Sequence, residues 1–265
     1  MTLLQIIVLA LVQGLTEFLP VSSSAHLILG GKLFAWPDQG LVFDVATHLG
    51  TLFAVLLYFR SDIAEILSAW LHPATTERQA RRRKLGKYLF LASIPVILVG
   101  ALAHGLVEAY LRDVRVIATT TLLFGLLLWF ADGYFSRDRE LEDMRLKPAL
   151  LIGIVQVFAL IPGTSRSGVT IMMGRMLGFG AEAAARFSFL LAVPVIAAAG
   201  AFGLIQMSRD NAAIDWTQFG LAVAVSAVAG WLCIAAFLAL LKRIGLLPFI
   251  IYRLLLGILL LALVY

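Results

Sequence analysis

Long apolar runs separated by short polar segments recur along the whole chain. An α-helix of about 20 apolar residues crosses the hydrocarbon core of a bilayer, which is roughly 30 Å thick. The pattern predicts six spans: 42–59, 88–107, 116–134, 187–207, 217–241 and 247–265. Since helices satisfy their own backbone hydrogen bonds in lipid, we expect an all-α polytopic membrane protein.

Two further apolar helices are too short to cross a bilayer, and a proline follows each of them. The first covers residues 2–12 and precedes Pro20, and the second covers 148–161 and precedes Pro162. A new helix is predicted after each break, from the serine run in the first case and over 168–178 in the second. A helix, a break and a second helix over so few residues predict a re-entrant hairpin, whose tip must be covered by protein or water.

The two halves of the chain show the same order of elements. Two pairs of segments are similar: 90–97 with 189–196, and 19–24 with 161–166. One extra span in the first half would make the two halves enter the membrane from opposite sides. This arrangement is an inverted-topology repeat, in which binding sites lie near the midplane of the membrane. The prediction is a single integral membrane domain over 1–265, made of repeat one at about 1–134 with the extra span 42–59, repeat two at about 148–241, and the final span 247–265.

Composition and charge support the membrane assignment. The 265 residues are 61% hydrophobic and only 14% charged, which is too little charge to cover a soluble domain of this size. The basic residues lie in a substantial polar loop at 61–87 and in the segments 135–147 and 242–243. The positive-inside rule makes these segments cytoplasmic, and binding of anionic lipid by the first is the alternative. No exposed basic domain is left to bind nucleic acid.

The first break carries polar residues in an apolar setting. Gln13 and Glu17 are four residues apart and share a helix face. Glu17 could bind a divalent cation or act as a base, and a structural carboxylate satisfied by backbone N–H groups is the alternative. Ser23 and His26 are three apart, and a hydroxyl beside an imidazole suits nucleophilic phosphoryl transfer. A buried structural His26 is the other interpretation.

The candidate residues of the second break are Ser165, Arg166, Ser167 and Thr170. A helix that starts after each break presents free N–H groups and a positive dipole end, which attract phosphate. Arg166 adds a permanent charge with forked donors that suit phosphate oxygens. The alternative is an Arg166–Glu17 ion pair that only joins the halves. We expect the two breaks to meet and form one site for a doubly phosphorylated group.

Five other residues are interpreted as structural. Ser22 and Ser24 are expected to cap the helix after the first break. Asp44 and His48, four apart on the first span, could border the cavity, but the structural interpretation is favoured. The only cysteine, Cys233, lies in an apolar helix, so it predicts packing rather than a disulfide or a metal site.

Together, the stretches 13–26 and 162–170 resemble the undecaprenyl-diphosphate phosphatase family of the bacitracin-resistance type. The resemblance runs through nearly the whole chain and includes the segment 187–194. It implies a bacterial inner-membrane enzyme that hydrolyses undecaprenyl diphosphate to the monophosphate and so recycles the lipid carrier of cell-wall synthesis. It also implies re-entrant hairpins, a site open to the periplasmic side, and help from a divalent cation, magnesium or calcium.

By this resemblance, six residues match functional positions of the family: Glu17, Ser23, His26, Ser165, Arg166 and Thr170. Two departures are visible. Gln13 stands where the family often has Glu, which removes a second carboxylate from the face of Glu17, and Ser24-Ala25 replaces a Thr-Gly pair. The sequence therefore predicts Ser23, His26 and Glu17 as catalytic residues, with Glu17 as a metal ligand. The diphosphate would be bound by the remaining polar residues: Gln13, Ser165, Arg166, Ser167 and Thr170.

The predicted mechanism has Ser23 attack the terminal phosphorus while His26 handles protons, and direct attack by His26 or by water is the alternative. A polyprenyl-phosphate transporter or flippase is the rival function, because inverted repeats are a transporter plan. A lipid phosphatase of the phosphatidic acid phosphatase type is a weaker rival, since its leading lysine and Arg-Pro signature are absent. The lipid bilayer is the expected surrounding, and a homodimer is compatible with the sequence.

Overall fold

The structure is a computed structural model that describes residues 1–34, 36, 39–111, 113–210 and 213–263. Within these ranges the chain forms eleven α-helices: α1 Leu3–Glu17, α2 Ser23–Leu33, α3 Gly40–Tyr58, α4 Arg60–Leu71, α5 Glu77–Tyr110, α6 Val114–Tyr134, α7 Leu146–Val155, α8 Arg166–Met176, α9 Ala181–Arg209, α10 Trp216–Ile244 and α11 Leu247–Ala262. Short 3₁₀ helices at Leu141–Asp143 and Gln156–Leu160 flank α7.

Five helices are long and apolar enough to cross a membrane, namely α3, α5, α6, α9 and α10. They contain five of the six predicted spans, and the all-α polytopic fold is confirmed. The sixth predicted span, 247–265, corresponds to α11, a shorter apolar helix of 16 residues. The last two residues of that span, 264 and 265, lie outside the described residues. The prolines expected within spans, Pro95 and Pro194, lie inside α5 and α9.

The prediction of a polar loop at 61–87 was wrong. Residues from Arg60 to Leu71 form α4, and α5 already begins at Glu77, so the basic run is the first part of a long helix. The side chains in this region, mostly Ala, Leu, Arg, Glu and Lys, are good helix formers. Low hydropathy therefore marked a part of the helix outside the bilayer rather than an irregular loop.

Each predicted hairpin is observed as a helix, a break and a second helix. The first helix is longer than predicted, because α1 continues past residue 12 to Glu17. Ser22 and Ser165 immediately precede α2 and α8, with φ angles of 72° and 69°. A positive φ is uncommon for residues other than glycine, so each break holds a serine in a costly backbone conformation. The inverted repeat stays a prediction, and each of these two serines is the residue immediately before the second helix of its hairpin.

Both serines cap the helix that follows. The Ser22 Oγ accepts a hydrogen bond from the Ala25 N–H at 3.4 Å, and the Ser165 Oγ accepts one from the Gly168 N–H at 3.1 Å. Each cap satisfies one of the free N–H groups of the first turn. The remaining N–H groups of both turns stay available at the breaks.

Close helix packing fixes the hairpins within the bundle. α10 packs against α1 and α3, α11 packs against α6, and α9 packs against α3, α5 and α8. Small residues allow these approaches: a Cβ atom added to Gly14 of α1 would lie 2.6 Å from the Cβ of Ala229 and 2.8 Å from the Ser226 carbonyl oxygen of α10. Such small-residue contacts are typical of helices that pack in lipid.

Candidate functional site

The two breaks touch each other, as the sequence predicted. The Gly163 N–H donates a hydrogen bond to the Ser24 Oγ at 3.2 Å. In the other direction, the Ser167 Oγ donates to the Leu19 carbonyl at 2.8 Å. Ser24 therefore reaches across to the second break and does not only support its own helix.

Arg253 of α11 donates hydrogen bonds to backbone carbonyls of both breaks. The sequence analysis missed this residue. The side chain is fully buried. Its guanidinium donates to the carbonyls of Thr121 at 3.0 Å, Pro20 at 3.3 Å, Gly163 at 2.9 Å and Thr164 at 2.5 Å. An arginine within an apolar span is costly and needs partners, and this was the signal in the sequence that could have identified it.

Glu17 is the centre of the hydrogen-bond network in the site. Its Oε2 accepts from the Gln13 Nε2 at 2.9 Å and from the Ser23 Oγ at 3.2 Å. Its Oε1 accepts from the Arg166 Nη2 at 3.3 Å. Arg166 also donates from Nη1 to the Ser188 carbonyl at 3.0 Å. The Arg166–Glu17 ion pair, which the sequence analysis gave as the alternative interpretation of Arg166, is thus formed, and Ser23 donates to the same carboxylate.

His26 takes partners other than Ser23. The His26 Nδ1 is 2.7 Å from the Ser22 carbonyl oxygen, and the Nε2 is 2.7 Å from the Tyr252 hydroxyl oxygen. Both ring nitrogens are therefore occupied, and the expected pairing of the Ser23 hydroxyl with the imidazole is replaced by the pairing with Glu17. The α2 helix places the two side chains on one side, but the carboxylate is the nearer base.

Exposure divides the predicted site residues into two groups. The partly accessible residues at the two helix starts are Glu17, Ser23, His26, Ser165 and Arg166. Three others are buried: Gln13, Ser167 and Thr170. The Thr170 Oγ1 bonds the Arg166 carbonyl at 2.8 Å and the Ser188 Oγ at 2.7 Å. The buried group therefore forms hydrogen bonds within the protein, and the accessible group is the part of the site that a ligand could reach.

The oxygen atoms of the site fit part of a hard-cation site. In the part of the chain that the structure describes, no group of three or more His, Cys, Asp or Glu residues could hold a metal ion. The Gln13 Oε1, however, is buried without a hydrogen-bond partner, and Gln13 already contacts the Glu17 carboxylate. A carboxylate and an amide oxygen are suitable ligands for Mg²⁺ or Ca²⁺, which take further oxygens from phosphates and water.

Asp44 and His48 line a cavity whose lining residues do not include Glu17, Ser23 or Arg166. This largely apolar cavity of about 370 Å³ lies between α3, α5 and α9 and also contacts Leu160. The His48 Nδ1 bonds the Asp44 carbonyl at 2.7 Å, and the Gln39 Nε2 donates to the Asp44 carboxylate at 3.1 Å. These contacts within one helix and its start agree with the favoured structural interpretation.

Known proteins are similar in sequence to this chain over nearly its whole length. The family model described as "Bacitracin resistance protein BacA" matches residues 6–259, which include both breaks. A protein of Teredinibacter turnerae named undecaprenyl-diphosphatase is 52% identical over 260 residues, which is 98% of each chain. Proteins with the same name from Alteromonas mediterranea and Saccharophagus degradans are 49% and 51% identical, and they cover 100% of this chain and 100% and 99% of their own. The chain belongs to the bacitracin resistance protein BacA family.

Proposed function

We propose that this protein hydrolyses undecaprenyl diphosphate to undecaprenyl phosphate and phosphate, which recycles the lipid carrier for cell-wall synthesis and confers resistance to bacitracin. The observation that carries the proposal is the Ser23 hydroxyl held on Glu17, beside Arg166, where α2 and α8 begin. The names of the relatives, about 50% identical over their full length, support hydrolysis over the transporter alternative.

The diphosphate binds between the two helix starts. Arg166 offers its guanidinium and Ser165 its hydroxyl, and the free N–H groups of α2 and α8 add their partial positive charge. The buried Arg253 donates hydrogen bonds to the backbone carbonyls of Pro20 and Gly163 in the two breaks. The site then carries two arginines against the single carboxylate of Glu17, and this balance favours a multiply charged anion. The polyprenyl tail stays along the lipid-facing surface.

The chemical step is an attack of the Ser23 Oγ on the terminal phosphorus. The hydroxyl proton passes to the Glu17 Oε2, to which it is already hydrogen-bonded. The new Oγ–P bond forms as the bond from that phosphorus to the bridging oxygen breaks, and undecaprenyl phosphate leaves with the electron pair. Arg166 stabilises the charge on the transferred group.

A second step releases phosphate from the serine. A water molecule attacks the phosphorus of the phosphoserine, and its proton passes to the His26 Nε2 as the P–Oγ bond breaks. The Ser23 oxygen recovers its proton from Glu17, and His26 gives the proton taken from water to the solvent as phosphate leaves, so the enzyme returns to its starting state. Because both nitrogens of His26 have partners before substrate binds, Ser23 is the better candidate for the first attack than His26.

Glu17 and the amide oxygen of Gln13 would hold a divalent cation, magnesium or calcium, beside the diphosphate, and the cation would supply charge neutralisation of the phosphate oxygens. These two protein oxygens are fewer than such a cation takes, so phosphate oxygens and water would supply the other ligands.

The protein lies in the bacterial inner membrane, with the site open to the periplasmic side. The support is the distribution of basic residues. The starts of α5 and α9 are joined through Asp62, which pairs with Arg82 at 3.0 Å and with Arg186 at 3.1 Å. The basic end of α10 joins them through the Lys242–Glu182 pair at 3.1 Å. The positive-inside rule makes this end cytoplasmic.

Phosphate release from undecaprenyl diphosphate by the purified protein in detergent tests the proposal, because a pure carrier releases none. Replacing Ser23→Ala should lower kcat by about 10⁴-fold or more, as expected when a nucleophile is removed, while lipid binding is retained. Ser61→Ala, an exposed serine on α4, is the control and should turn over like the wild type. Hydrolysis by Ser23→Ala at a rate near that of the wild type would refute the assignment of the nucleophile.

A further inference from the structure

α11 brings a tyrosine against the histidine of the site. The Tyr252 hydroxyl oxygen lies 2.7 Å from the His26 Nε2, and the two rings are nearly parallel, with an interplanar angle of 8° and centroids 5.6 Å apart. Tyr252 precedes Arg253, whose guanidinium donates hydrogen bonds to backbone carbonyls of both breaks. The helix turn that locks the backbone of the site therefore also presents this hydroxyl.

The two hydrogen bonds of His26 determine which ring nitrogen carries the proton. A carbonyl oxygen only accepts hydrogen bonds, so the Nδ1 that contacts the Ser22 carbonyl must be the N–H donor. In a neutral imidazole the Nε2 is then the free base, and it accepts from the Tyr252 hydroxyl. The geometry thus selects Nε2 as the nitrogen that can take up a proton.

The hydroxyl of Tyr252 suits both charge states of His26. A phenol donates to a neutral Nε2, and after the ring has gained a proton the same oxygen accepts from Nε2–H. A phenylalanine ring could stack in the same way but could do neither. The hydroxyl therefore keeps the imidazole in one orientation while its charge changes.

We propose that Tyr252 is a positioning residue for His26: its hydroxyl holds the imidazole with Nε2 as the proton-accepting atom, leaves that nitrogen to the attacking water, and accepts from Nε2–H once the proton has moved. The proposal rests on the proposed function, since it assumes that His26 takes up the proton when the phosphoserine is hydrolysed. Tyr252 acts through His26 and leaves diphosphate binding to Arg166 and the helix starts.

The test compares Tyr252→Phe, which removes only the hydroxyl, with Tyr252→Leu, which removes the ring as well. Tyr252→Phe should lower kcat about tenfold, the effect of one lost hydrogen bond, with KM for undecaprenyl diphosphate unchanged. Tyr252→Leu should lower kcat at least as much. Tyr134→Phe on α6, where the tyrosine is exposed and packs on Phe130, is the control and should leave kcat unchanged. A purely structural tyrosine predicts instead full activity of Tyr252→Phe and loss only in Tyr252→Leu, and this result would overturn the proposal.

A second measurement does not depend on catalysis. In protein labelled with ¹⁵N in its histidine rings, the His26 signals are identified by their absence in His26→Gln. The Nε2 resonance should move in Tyr252→Phe to the position of a ring nitrogen without a hydrogen bond, while Nδ1 stays protonated. An unchanged Nε2 resonance would show that the contact is absent, whether or not the wild type releases phosphate. Failure of the wild type to release phosphate, with the resonance shifted as expected, would instead count against the proposed function.

Discussion

At the scale of single residues, the reactivity of Glu17 depends on how its two oxygens are shared. Without substrate, Arg166 binds one oxygen and Ser23 donates to the other. A bound diphosphate competes for Arg166, because a guanidinium also binds phosphate oxygens in its forked geometry. Substrate binding therefore frees Glu17 to take the proton of Ser23.

Gln13 controls the charge beside Glu17, and its replacement by glutamate should make the enzyme depend more strongly on the cation. The Gln13 amide donates to Glu17 at 2.9 Å in a buried position. Gln13→Glu removes that donor and places two carboxylates together, which a divalent cation can bridge. We expect the Mg²⁺ or Ca²⁺ concentration that gives half-maximal phosphate release to fall about tenfold, since added ligand charge tightens such sites.

The matched control is Gln13→Met, which removes the amide donor without adding charge. Its activity should fall, and because it also removes the Gln13 amide oxygen, the cation concentration that gives half-maximal phosphate release should rise rather than fall. If Gln13→Glu and Gln13→Met showed the same dependence on the cation, the proposed cation site at Glu17 would be wrong.

Part of the site could be predicted from the sequence because its residues lie close together at the two breaks. Polar side chains next to Pro20 and Pro162 marked the ligand site, and the Glu17–Arg166 pair followed from charge at membrane depth. Tyr252 lies 226 residues from its partner His26, and no local pattern links them. Tertiary packing alone decides that contact, so sequence reasoning could not reach it.

At the scale of elements, the position of Glu17 depends on how closely α1 approaches α10. Replacing Gly14→Ala would place a Cβ 2.6 Å from the Cβ of Ala229 and 2.8 Å from the Ser226 carbonyl oxygen, and both atoms are rigid. α1 would then have to move away from α10 and carry Glu17 with it. We expect a loss of about 1–3 kcal/mol in the free energy of unfolding, as for other overpacked positions, and a lower kcat.

Gly220→Ala on α10 is the matched control, because nothing lies within 4 Å of an added Cβ there. Alanine is a better helix former than glycine, so this variant should be as stable as the wild type or more stable. Reversible unfolding in detergent and phosphate release measure both effects. Equal stability of the Gly14 and Gly220 variants would contradict the close contact between α1 and α10.

Contacts between helices also explain why residues 61–87 were wrongly predicted to form a loop. Hydropathy separates segments in lipid from segments in water, but it does not separate helix from loop outside the bilayer. Two ion pairs of Glu65 hold α4 against α5, with Arg78 at 2.5 Å and Arg82 at 2.8 Å. These pairs join residues that are far apart in the sequence, and the membrane spans could be predicted without them.

At the scale of the whole molecule, charge is concentrated at one end. The start of α5, the start of α9 and the end of α10 meet there through Asp62, Glu182 and their basic partners. At the end of α6, the buried Arg175 pairs with Asp132 at 2.8 Å. The turns between α5 and α6 and between α9 and α10 lie at the other ends of these helices. The molecule thus has a basic end, which we propose is cytoplasmic, and a less basic end, which we propose faces the periplasm.

Labelling of single cysteines tests this orientation. Cys233 is the only cysteine and is buried, so Cys233→Ala gives a background without thiols. In that background, Ala213→Cys, exposed between α9 and α10, should react with a membrane-impermeant maleimide in intact spheroplasts. Arg83→Cys, exposed on the basic first part of α5, should react only after the membrane is permeabilised. The reverse pattern would place the basic end in the periplasm. It would refute both the proposed orientation and the proposed periplasmic site. More than half of the 21 Lys and Arg residues lie in the three segments 61–87, 135–147 and 242–243, so the positive-inside rule makes a clear prediction here.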